Sequence, residues 1–93
     1  MSMRELYERK MQSQLNELKT EIAGLKEKVG QAEANLELEY YTLIDELHLE
    51  LEATEQKFHL LKQAQDEKWE EFKTDLELSW NSLLEMIKAI TSP

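Results

Sequence analysis

Starting at Tyr7, the apolar residues of this chain recur every three or four positions, and the rhythm keeps its phase to Ile90. The stripe runs Tyr7, Met11, Leu15, Leu18, Ile22, Leu25, Val29, Ala32, Leu36, Tyr40, Leu43, Leu47, Leu51, Thr54, Phe58, Leu61, Gln65, Trp69, Phe72, Leu76, Trp80, Leu83, Ile87 and Ile90. Its mean step is about 3.6 residues, the period of one helix face. Heptads, as from Leu18 to Ala32, alternate with steps of eleven, as from Ala32 to Thr54 and from Leu61 to Leu83. A heptad under-winds a helix and an eleven over-winds it, so the mixture predicts long, rather straight helices. Trp69 and Trp80 are eleven apart and should share one face.

The opening "SMRE" has the form of a capping box, with Ser2 placed to accept from the backbone of Glu5 and Glu5 placed to reach back. A helix is expected from there. The stripe is weakest around Gly30 and Ala32, and at "KQAQDEK", where Ala64 and Gln65 alone bridge Leu61 to Trp69. A bend near residues 62–66, with Asp66 capping the next helix, makes a hairpin of unequal arms; Gly30 is a weaker candidate for a break. Without a bend, a single helix would be about 130 Å long and would need other chains along its whole length.

The expected fold is all-α, with long amphipathic helices in an antiparallel hairpin or coiled-coil bundle completed by homo-oligomerisation, and residues 1–93 forming one unit. The expected self-association seam is Leu18, Ile22, Leu25, Val29, Leu36, Tyr40, Leu43, Leu47, Leu51, Phe58, Leu61, Trp69, Phe72, Leu76, Trp80, Leu83 and Ile87. Leu38, Leu49 and Leu78 fall beside it, which is read here as a wider apolar face favouring more than two helices in cross-section.

Composition narrows the function. With 93 residues the chain buries only a modest core. A net charge of −9 argues against nucleic acid and anionic lipid surfaces as partners, because both are bound through Lys and Arg. No apolar run approaches the roughly 18 to 20 residues that span a bilayer, and "MSMRELYERK" lacks the apolar stretch of a secretion signal, so a cytoplasmic location is expected. There is no Cys, hence no disulfide and no thiolate chemistry.

Candidate chemistry is thin. Asp45 and His48 stand one turn apart, as do Glu55 and His59. Di-iron bundles use Glu-x-x-His pairs, but in so acidic a chain a carboxylate beside a His is ordinary surface composition. No Gly-rich phosphate loop is present, and straight helices provide no strained turn to activate a serine. The expectation is a non-enzymatic structural or interaction protein without cofactor or metal, whose partner is itself, as a dimer or tetramer. An alternative is an amphipathic protein that binds lipid or another hydrophobic surface through Trp69, Phe72 and Trp80.

From "RELYERK" to "SLLEMI" the chain resembles small bacterial coiled-coil proteins of unknown function. Their pattern runs from a Tyr-x-x-Lys start, through a Gln-Leu and an Ile-x-x-Leu, to an acidic Tyr-containing middle and two tryptophans eleven apart. The matching positions are Tyr7 with Lys10, Gln14 with Leu15, Ile22 with Leu25, Ala32 with Ala34, Tyr40, Ile44 with Leu47, and Trp69 with Trp80. Members often carry Ala before the first Trp and a Trp at the position of Asn16. The resemblance implies a helical, self-associating protein and brings no activity, cofactor or catalytic residue with it. The eleven-residue repeats are also similar to those of exchangeable apolipoproteins.

Charge is uneven along the chain: plus one over residues 1–29, minus six over 31–62 and minus four over 63–93. The first arm is therefore expected to lie beside a later, acidic one. Reversing Lys19, Lys26 and Lys28 to Glu should lower the thermal midpoint or the assembly mass at low salt, with partial recovery at high salt. Each exposed pair contributes about 0.2 to 1 kcal/mol, so the effect is a shift and not a collapse.

Overall fold

A computed structural model describes residues 2–30 and 34–91. It is all-α, with three helices: α1 (Met3–Val29), α2 (Ala34–Gln63) and α3 (Asp66–Thr91). The helices break on either side of both weak points of the stripe, and the expected antiparallel helical bundle forms with three arms in place of two. Ala32 lies outside the described residues. The molecule measures 50 × 20 × 19 Å, far shorter than the continuous helix would be.

The start of α1 follows from its cap. Ser2 Oγ accepts from the backbone N–H of Glu5 at 3.1 Å, and its hydroxyl faces the Glu5 carboxylate at 3.3 Å. Lys26 and Lys28 stand in the last turn, where the helix dipole favours cations. The C-cap Gly30 stays right-handed, with φ −61° and ψ −13°, so it ends the helix without the left-handed turn that glycine usually supplies.

Short connections make neighbouring helices antiparallel. Arg4 reaches Asp66 and the end of α2, while Leu25 and Val29 meet Ile90 and Tyr40 at the opposite end. Thus α1 and α3 run parallel, and α2 runs against both. The stripe closes on itself within one chain. Met11, Leu15, Leu18, Ile22 and Leu25 of α1 join Leu47, Leu51, Phe58 and Leu61 of α2 and Trp69, Leu76, Leu83 and Ile87 of α3 in one core.

Departures from the stripe have simple geometric causes. Leu36 is 42% exposed, at the end of the bundle where α2 begins, and Tyr40 and Leu43 are only half-buried. Ile44, one residue beyond Leu43, is fully buried instead. Trp69 is buried, whereas Phe72 and Trp80 pack against the core half-buried. Leu38, Leu49 and Leu78 do not widen the core as expected: they are 74%, 67% and 66% exposed. The cross-section holds three helices, but these leucines point away from it.

Among the described residues the buried polar side chains are Thr54 and Ser79, which meet between α2 and α3. Their hydroxyl oxygens are 2.6 Å apart. Ser79 also donates to the Glu50 carboxylate at 3.0 Å, and Thr54 is 2.8 Å from the Glu50 carbonyl. Small side chains allow the close approach, and the shared hydrogen bonds hold one register between the helices. Removing the Ser79 hydroxyl takes a donor from the Glu50 carboxylate and a partner from Thr54, which keeps the Glu50 carbonyl; with Ser79 gone, removing the Thr54 hydroxyl as well leaves an apolar contact between the two positions. Ser79→Ala should therefore cost about 1 kcal/mol in chemical unfolding, and adding Thr54→Val should cost little more or recover part of it.

Candidate interaction surface

Arg4, near the start of α1, secures the turn between the other two helices. Its guanidinium donates to Asp66 Oδ1 at 2.9 Å and to the backbone carbonyls of Leu61 and Lys62 at 3.3 and 3.1 Å. Those carbonyls belong to the last turn of α2, which lacks intrahelical donors and carries the negative end of the helix dipole. Glu8 holds the guanidinium from behind at 3.1 Å. Asp66, expected as a cap, is the first residue of α3 and serves as Arg4's partner. Further ion pairs cross-link the helices: Lys19 with Glu55 at 3.2 Å, between α1 and α2, and Lys57 with Asp75 at 3.4 Å, between α2 and α3. The near-neutral first arm lies beside the acidic α2 within the same chain.

At the same end Tyr7 and Trp69 meet edge to face, with ring centroids 5.3 Å apart. Lys73 Nζ lies 4.9 Å from the Tyr7 ring and 5.6 Å from the Trp69 ring, and Arg4 lies 5.9 Å from the latter. Such contacts are favourable because the ring faces carry negative charge. Met3 and Leu6 stand exposed beside this cluster. The Trp69 indole Nε1 is buried without a hydrogen-bond partner in the protein.

The histidines are placed apart from any such cluster. His48 and Asp45 are both exposed, and His59 shares a 3.2 Å contact with Gln63. Among the described residues no group of three or more His, Asp or Glu side chains is arranged to hold a metal ion. No helix among them is long and apolar enough to cross a membrane.

The surface feature with the clearest order is the outer face of α2. Leu38, Leu49 and Leu60 are 74%, 67% and 49% exposed, and they follow one another at intervals of eleven. Eleven residues return a helix to within about 20° of its starting direction, so the three leucines form one ridge of about 33 Å. The ridge is directly opposite the buried line of Leu47, Leu51 and Phe58. Exposed carboxylates border its first two thirds, Asp45 and Glu52 along one edge and Glu39 and Glu46 along the other, while Leu60 is flanked by Gln56, Lys57, His59 and Gln63. Sequence reading noticed Leu38 and Leu49 without Leu60, although the spacing of eleven was available to link all three. Most of the seam residues, by contrast, join one core inside the single chain; Val29, Leu36, Tyr40 and Leu43 are not part of it. No protein-family model, curated protein or solved structure matches this chain.

The hydrogen bond from the Tyr7 hydroxyl to Glu77 Oε1, 3.1 Å long, bridges α1 and α3 and has a pH signature. Burial, then the charge and hydrogen bond of Glu77, then the charge of Glu70, push the phenol above its ordinary value of 10.0. The folded state thus holds this proton more tightly than the unfolded chain does. Its contribution is complete below about pH 10 and is lost as pH rises through the raised folded value. The thermal midpoint of the parent should fall more steeply above pH 10 than that of Tyr7→Phe, which lacks the ionisable hydroxyl.

Proposed function

We propose that this is a non-enzymatic interaction protein, a preformed three-helix bundle that carries a helix of a second chain on the outer face of α2. The observation that supports it is the leucine ridge. Within an isolated bundle those leucines contribute little burial, since all three remain at least half exposed or nearly so. Elsewhere α2 segregates its apolar side chains to the inner face, as an amphipathic helix does. Three leucines in register on the polar side, about 16 Å apart and within reach of one straight helix, suit a partner helix better than they suit solvent.

The second chain is a copy of this protein or a different one. Self-association, suggested by the length of the stripe, would use this outer ridge, because the inner stripe is occupied by the chain's own helices. Lipid binding through Trp69, Phe72 and Trp80 would require the bundle to open, since those rings face the core. The outer ridge could meet a lipid surface without opening, but its acidic borders oppose anionic headgroups.

A surface kept for a partner should be dispensable for folding. The triple variant Leu38→Gln, Leu49→Gln, Leu60→Gln is expected to retain the helical circular dichroism and to move the unfolding free energy by no more than about 1 kcal/mol. By comparison Leu47→Ala, in the core, should cost about 2 to 5 kcal/mol. A loss of several kcal/mol in the triple variant would show that the ridge belongs to the fold and would end this reading.

A further inference from the structure

The borders of the ridge discriminate among helices that could lie on it. Asp45, Glu52, Glu39 and Glu46 are all exposed, two on each side of the leucines. When two helices pack along such a ridge, residues at the edges face one another, and their charges decide which pairs form. An antiparallel second copy centred on Leu49 sets Asp45 opposite Glu52 of that copy. A parallel copy sets the Asp45 and Glu52 edge against the Glu39 and Glu46 edge. Both arrangements oppose carboxylates along the Asp45 and Glu52 edge; Lys57 on the other border is already held by Asp75 at 3.4 Å, and the segment from 31 to 62 carries minus six in all. A copy's α1, although richer in Lys and Arg, has no matching line of exposed apolar residues among those described: Met3 and Leu6 are confined to its first turn or two.

We infer that the outer face of α2 takes a helix of a different protein, an amphipathic one with Lys or Arg along both edges of its apolar stripe. This rests on the reading of the ridge as an interaction surface and adds the chemistry of its partner. Leucine burial supplies the attraction, and the carboxylate borders select basic edges over neutral or acidic ones.

The test uses the full-length protein and labelled synthetic helices of about 25 residues, long enough to span the ridge. All share one leucine stripe at eleven-residue spacing, with edge positions filled by Lys, Gln or Glu, and binding is read by fluorescence anisotropy. The Lys-edged helix should bind about tenfold tighter than the Gln-edged one at low salt, as four modest exposed ion pairs imply, and the gap should narrow at high salt. The Glu-edged helix should bind weakest. The triple leucine-to-glutamine variant keeps every carboxylate, yet should lose at least about tenfold in affinity for the Lys-edged helix.

Equal affinity for the Lys-edged and Gln-edged helices would overturn the inference while leaving the ridge an interaction surface. So would a ridge-dependent dimer of the protein alone that the Lys-edged helix fails to displace. Undiminished binding of the Lys-edged helix to the triple variant would show attraction to overall negative charge and overturn it too. Ridge-dependent binding to zwitterionic vesicles without binding of any helix would replace the partner helix with a lipid surface.

Discussion

The structure depends on one requirement: a stripe of apolar side chains more than eighty residues long must be removed from water. Left as a single helix it would expose that stripe at every turn. Folding twice brings three segments of similar length, 27, 30 and 26 residues, alongside one another. Each then covers the stripe of the other two. Leu15, Ile22, Leu47, Leu61, Leu76 and Leu83, from all three helices, reach nearly zero exposure this way. Two helices of such length would leave an open flank, and the third closes it.

Hydrophobic burial alone does not choose among the ways three amphipathic helices can slide and rotate, because it is non-directional. The polar contacts do. Thr54, Ser79 and Glu50 match α2 to α3 at one height, and Arg4 joins α1 to the turn that connects them. The two devices differ in setting. The hydroxyl contact lies in the interior, where an unmatched partner is costly, so it discriminates strongly for its size. Arg4 is near the surface and Asp66 is almost fully exposed, so their ion pair is screened; the bonds to the terminal carbonyls of α2 give Arg4 its specificity.

With most of the stripe buried inside the chain, the proposed function rests on what remains outside. The outer side of α2 combines apolar residues with a strongly one-signed border, and that combination is informative because neither part alone would be. Scattered exposed leucines such as Leu78 are ordinary on protein surfaces, and acidic faces are ordinary in so acidic a chain. Leucines aligned on one line, with carboxylates on both sides of Leu38 and Leu49, are what supports the proposed contact and the basic edge proposed for its partner.

The helical class, the stripe with its phase, the weak points near 30 and 62–66, and the contrast of a near-neutral first arm with acidic later ones were all legible in the residues. These are local properties: period, propensity and charge are set by neighbours a few positions apart. The sequence also contained the spacing of Leu38, Leu49 and Leu60. It did not contain their direction, because a stripe of given phase says which side of a helix is apolar but not how much of the circumference its neighbours will cover. Only the packing of α1 and α3 on one side of α2 decided that Ile44 would be buried and Leu43 half-buried, that Leu36 would stand open, and that Leu49 would face water. The contacts of Thr54 with Ser79 and of Arg4 with Leu61 join residues 25 and 57 positions apart. Such pairings arise from the fit of whole helices to one another, which no local pattern encodes.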